Sequence, residues 1–150
     1  MIIRSMQTHE IDSVVTLFDY YRESAMIDDD HYDENRVIQT VREYCIRPNL
    51  FFRLALNGQR PVGVVGGFLS EDPIDTEVTA TIQFLYLIPE FATVANYDLM
   101  IKEFESWAGQ FKVTAIRAID IGRNPNRLSD VYAELEFDPI KVSIMNKELA

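Results

Sequence analysis

The chain has 150 residues, 47% of them hydrophobic and 25% charged, which is the size and balance of one globular domain spanning residues 1–150. With 14 Lys and Arg against 24 Asp and Glu, a net charge of −10, it lacks the cationic surface that free nucleic acid requires. A single cysteine, Cys45, closes no internal disulfide, and two isolated histidines, His9 and His31, offer no metal-ligand spacing, so no metal site is expected.

The opening MIIRSMQTHE has no basic flank and apolar stretch of a signal peptide, and no run reaches the about 20 apolar residues that cross a bilayer. A cytoplasmic protein with no membrane partner is expected. Ile2, Ile3 and Met6 suggest a short first strand, and Thr8 is placed to cap a helix striped by Ile11, Val14, Val15, Phe18 and Tyr21. Asp28, Asp29 and Asp30 break that period in a loop over residues 25–33. A second helix then carries Val37, Ile38, Val41, Tyr44 and Cys45 and ends at Pro48.

Residues 50–56 and 61–69 read as a hairpin about Asn57-Gly58, with Gly63, Gly66 and Gly67 marking close backbone approach or a bulge in the returning strand. A polar stretch leads to a long β-branched and aromatic strand, residues 76–88, closed by Pro89. A helix over 96–111 places Met100, Phe104, Trp107, Ala108 and Phe111 on one face. A buried strand over 113–121, a helix over 124–137 and a last strand over 139–149 complete the order β-α-α-β-β-β-α-β-α-β. The pattern predicts an α+β, three-layer domain: a mixed, mostly antiparallel sheet with helices on both faces. A free hairpin or last-strand edge offers a surface for a second copy, hence a homodimer.

Three segments, LALNGQRPVGVVGGF, QFLYLIPEFATVANYDLMIKEFESWA and GRNPNRLSDVYAELEF, resemble the GCN5-related N-acetyltransferase (GNAT) superfamily, and the likeness runs over essentially the whole chain. The wording LIPE, IKEFESWA and GxN is similar to acetyltransferase-like proteins of bacteriophages. The resemblance implies the acyl-CoA N-acyltransferase fold and transfer of an acetyl group from acetyl-CoA, as co-substrate, to an amine by direct attack. It implies that the two central strands part at the C-terminal end of 76–88, where the backbone of the long strand, over Leu85, Tyr86 and Leu87, pairs with the pantetheine amides at Leu85 and Leu87. It also implies that the stretch Ala92, Thr93, Val94, Ala95, Asn96 and Tyr97 holds the pyrophosphate at a helix N-terminus.

That stretch departs from the superfamily's Arg- and Gly-rich pattern: Ala92 stands at the Arg position and Thr93 at the first Gly. β-branched Thr93 and Val94 adopt a positive φ only at a cost. Phosphate contact is therefore expected from backbone N–H groups, since no Lys or Arg lies between Pro89 and Lys102.

Tyr132 matches the family position that donates to the departing thiolate, a role that suits a phenol; packing beside Val131 and Leu135 accounts for it equally well. Asn124 matches a polar position that contacts CoA, or it caps the last helix. Glu77 is the one carboxylate within the expected central strand and thus a candidate base, or else a solvated strand-end charge. The acidic run beside His31 forms either a rim attractive to a cationic amine acceptor or a plain solvated loop. The competing function is a non-catalytic interaction or structural module of the same fold, with a degenerate CoA loop.

Overall fold

The structure is a computed structural model that describes residues 1–24, 31–119, 128–140 and 145–149. Its elements are β1 (Ile2–Arg4), α1 (Ile11–Ser24), α2 (Glu34–Ile46), β2 (Leu50–Asn57), β3 (Arg60–Glu71), β4 (Val78–Leu87), α3 (Val94–Ala108), β5 (Ala115–Ala118) and α4 (Leu128–Glu134). The strands form one sheet in the order β1-β2-β3-β4-β5, antiparallel except for the parallel β4–β5 pair. The expected fold class is thus the observed one.

Neighbouring Phe51 and Phe52 on β2 point to opposite faces, as pleating requires, and so define the two helical layers. Phe52 stacks on Phe18 of α1 at 6.3 Å, while Phe51 meets Phe104 and Trp107 of α3 at 5.4 and 5.1 Å. α1 and α2 therefore cover one face and α3 the other, with α4 beside α3. The stripes on α1 and α3 enter the core, joined by Leu17, Tyr97 and Ile101, except for Phe111: α3 ends at Ala108, and Phe111, in the 3-10 turn that follows, is exposed. Cys45, by contrast, is exposed at the end of the α2 stripe.

Several boundaries differ from the sequence expectation for identifiable reasons. Thr8 does not cap α1: a one-turn 3-10 helix, Thr8–Glu10, precedes it, and Gln7 is its cap. There the Glu10 carboxylate accepts from the Gln7 N–H at 2.8 Å and from both terminal nitrogens of Arg4 at 2.8 Å. The hairpin turn is shifted by one residue. Asn57 pairs with Arg60, so Gly58 and Gln59 form the loop, and only Gly58 has positive φ, +62°, as a II′ turn requires of its first central residue.

α3 begins at Val94 because Thr93, with φ −108°, caps it by accepting from the Asn96 N–H at 3.2 Å. Neither Thr93 nor Val94 has the positive φ that would be costly for a β-branched residue. Of the last strand expected over 139–149, residues 139, 140 and 145–149 lie in no strand, and 141–144 fall outside the described residues.

A β-bulge shapes β4. Gly66 pairs with Phe84 but Gly67 pairs with Ile82, leaving Gln83 as the extra residue. Gly67 is required there, since a Cβ would sit 2.1 Å from the Thr81 carbonyl oxygen and 2.6 Å from the Phe104 ring. β5 pairs with β4 only over Thr79–Ile82. Beyond Ile82 the two strands part, and among the described residues β4 has no strand partner on that side.

Candidate functional site

Two features converge on the bulge. The first is the open edge of β4. The Ile88 N–H donates to the Val62 carbonyl at 2.9 Å, so antiparallel alternation turns the N–H and C=O groups of Leu87 and Leu85 away from β3. These are main-chain groups available to an added extended segment. Just beyond lies the N-terminus of the 15-residue α3, where the N–H groups of Val94 and Ala95 have no acceptor among the described residues. Their position and the helix dipole make this end favourable to an anion. The other amides of the stretch are engaged: Ala92 donates to Pro89, Thr93 to Phe91 and Tyr97 to Thr93. Asn96 spends its side-chain amide on the Phe91 carbonyl at 2.9 Å.

Tyr97 points differently from the rest of this stretch. It is 1% exposed, and its hydroxyl is enclosed without a hydrogen-bond partner among the described residues. Burial pushes the phenol up to about 12, a shift that the Leu87 amide opposes without closing a hydrogen bond. The ring from α3 therefore reaches the same main-chain amide that the open edge presents.

The second feature is a cavity of about 330 Å³ on the opposite face, between α1, α2 and β4. Two consecutive β4 residues, Gln83 and Phe84, line it together, which normal pleating forbids and the bulge permits. Phe84 meets Phe18 at 5.4 Å and Tyr44 at 5.6 Å, and the Tyr44 hydroxyl donates to the Gln83 side-chain oxygen. At the rim Arg22 pairs with Asp19 at 2.8 Å and lies over the Tyr32 ring at 4.9 Å. Burial raises the phenols of Tyr32 and Tyr44.

The remaining sequence candidates are placed unequally. Tyr132 lies in α4, 6% exposed, with its ring 5.1 Å from that of Phe137. Glu77 is not brought to the bulge. It precedes β4 at the strand's other end and lines a separate, smaller hollow with Ser70, Asp72 and Arg117. Eight residues of extended chain, about 26 Å, separate it from Leu85. Asn124 and the run Asp28 to Asp30 lie outside the described residues. The cavity itself is not legible in the sequence: Phe18 and Tyr44 read only as helix stripes and Phe84 only as part of the long strand, and no local pattern marks Gln83 as a bulge. Among the described residues no three His, Cys, Asp or Glu side chains gather as a metal set, and no helix is long and apolar enough to cross a membrane.

No protein-family model matches this chain, and no curated protein is found to be similar to it. Solved structures do match over nearly its whole length. The aminoglycoside N-acetyltransferase AAC(6')-Iy in complex with CoA superposes with a TM-score of 0.80 at 12% identity, covering 99% of this chain and 95% of that one. The fold is that of the GCN5-related N-acetyltransferases. A predicted acetyltransferase with acetyl-CoA from Clostridium acetobutylicum matches this GNAT fold with a TM-score of 0.80 at 11% identity, covering 97% and 95% of the two chains. The ribosomal-protein-alanine N-acetyltransferase from Brucella melitensis biovar Abortus 2308 gives 0.76 at 10% identity, covering 99% and 100%. In GNAT terms, the open edge and the α3 N-terminus lie on one side of the bulge and the cavity on the other.

Proposed function

We propose that the chain is an acetyl-CoA-dependent N-acetyltransferase. The observation that carries this reading is the junction at the bulge, where an unpaired strand edge ending at a helix N-terminus meets an aromatic cavity. On this reading the pantetheine amides add to β4 along Leu85, Tyr86 and Leu87. The pyrophosphate meets the N–H groups of Val94 and Ala95 and the Thr93 hydroxyl, within the stretch Ala92 to Tyr97, and Asn124 adds a polar contact. Similar folds solved with CoA and with acetyl-CoA support the choice of co-substrate.

The neutral amine, held in the cavity, attacks the thioester carbonyl carbon. A C–N bond forms, the C–S bond breaks, the amine proton leaves through solvent, and Tyr132 donates to the thiolate as it departs. Water rather than Glu77 takes the amine proton, because Glu77 stands at the far end of β4. The work is cytoplasmic, in the host if the chain is phage-encoded.

Two observations favour a second reading, a GNAT-fold interaction module without catalysis. The Tyr97 phenol already lies at the Leu87 amide, and the loop ahead of α3 has no basic side chain. Thermal unfolding with acetyl-CoA separates the two. At a hundred times its dissociation constant a ligand adds about 2.7 kcal/mol, which for a chain of this size raises Tm by roughly 5–10 °C. Absence of any shift at millimolar acetyl-CoA favours the module.

A further inference from the structure

This inference rests on the acetyltransferase reading and names its acceptor. We propose that the cavity between α1, α2 and the β4 bulge takes a small amine with an aromatic body and a carboxylate, of the aromatic amino-acid kind, and not a polycation.

The walls fit an aromatic body. Phe18, Tyr44 and Phe84 already meet edge-on or tilted at 5.4 to 5.6 Å, and a guest ring can continue that arrangement. The volume, about 330 Å³, stands at the low end of small-molecule sites and suits one ring with a short polar arm.

The polar groups ask for an acceptor. Gln83 uses its side-chain oxygen on Tyr44, which leaves its NH2 group to donate. The Tyr32 hydroxyl is enclosed without a hydrogen-bond partner among the described residues. Arg36 and His31 supply further donors at the rim. An anionic group answers several of these at once through charge-assisted bonds.

The same inventory turns a polycation away. Asp33 is the one carboxylate among the described lining residues, set against Arg22 and Arg36, and one of its two oxygens, Oδ1, caps α2, accepting from Asn35 at 2.9 Å and Arg36 at 3.4 Å. Nor is the aromatic wall a vacant ammonium cage, since the Arg22 guanidinium already lies over the Tyr32 ring.

The test is calorimetric binding to the chain without acetyl-CoA, followed by thiol release with acetyl-CoA. The probes are L-phenylalanine, L-tyrosine, phenethylamine, spermidine and an aminoglycoside. The expected result is that the aromatic acids bind, that phenethylamine, which lacks the carboxylate, binds about ten-fold more weakly, and that both polycations bind more weakly still. Arg36→Gln, on the exposed first turn of α2, should remove most of the difference between L-phenylalanine and phenethylamine; Tyr32→Phe should narrow it. Tighter binding of spermidine or the aminoglycoside, or no binding of either aromatic acid at millimolar concentration, overturns the assignment. If acetyl-CoA stabilises the chain and polycations are acetylated, the acceptor class falls while the transferase reading stands. Carboxylate-dependent binding without any response to acetyl-CoA gives the reverse.

Discussion

Tyr44 of α2 donates its hydroxyl proton to the side chain of Gln83, the residue that bulges from β4, 39 positions further along the chain. This bond ties the outer helical layer to the irregular point of the sheet and holds one wall of the cavity against its floor. Tyr44→Phe keeps the ring contact with Phe84 and deletes only the bond. Urea unfolding should show a loss of about 1 kcal/mol, and the acceptor KM should rise more than kcat falls.

Thr93 sets the start of α3. Thr93→Ala removes the acceptor for the Asn96 N–H and should cost about 1 kcal/mol in urea unfolding, while Thr93→Ser retains the cap and most of the stability. Weaker acetyl-CoA binding should accompany the Ala variant, because the hydroxyl and the helix end share one place.

The enclosed Tyr97 hydroxyl is a cost to the fold. Tyr97→Phe should be neutral or stabilise by about 1 kcal/mol, since no hydrogen bond is lost. With the phenol at about 12 in the folded chain and 10.0 as its ordinary value, the unfolded chain gives up this proton first as pH rises. Stability present below pH 10 is therefore lost between about 10 and 12. Stability measured across that range should fall less steeply in the Phe variant.

Glu10 governs the acid side. Its carboxyl is held below the ordinary range chiefly by the Arg4 hydrogen bonds, so the stability it contributes is present above the unfolded carboxylate value and is lost as pH falls through the lower folded value. Glu10→Gln should lower stability at neutral pH by about 1 kcal/mol and flatten the acid limb of the stability profile. Identical acid limbs in the two proteins would remove Glu10 from this role.

Tyr132→Phe keeps the ring against Phe137 and removes the hydroxyl. If Tyr132 donates to the departing thiolate, kcat should fall on the order of 10²-fold with acetyl-CoA binding and Tm little changed. Equal turnover returns Tyr132 to the core. The acceptor used in that assay should be the best one found by the binding screen.

What could be read ahead of the structure follows from where each signal resides. The α1 and α3 stripes and the hairpin are local: helical spacing brings Val14, Phe18, Met100 and Phe104 to one side whatever surrounds them. The parting of β4 and β5 followed from the resemblance and is present. Gln83 carries no such mark, because a bulge arises from how two strands pair and not from either strand alone. Glu10 was missed for another reason: a carboxylate reads as surface unless its partner is known, and Arg4 lies in a different element. Tyr97 was expected to serve through its backbone, whereas the structure gives its side chain a place at the cleft.

Gly67 faces Phe104 and α3, on the side of the sheet away from the aromatic cavity, yet it stands opposite the irregular stretch that sets Gln83 and Phe84 side by side. Any side chain at that position must push on the Thr81 carbonyl, and the displacement passes through the ladder to the far surface. The shape of the recess is thus governed from behind. Mutational surveys confined to residues that touch a ligand would overlook this position, and a loss of acceptor recognition caused there would masquerade as a simple folding defect.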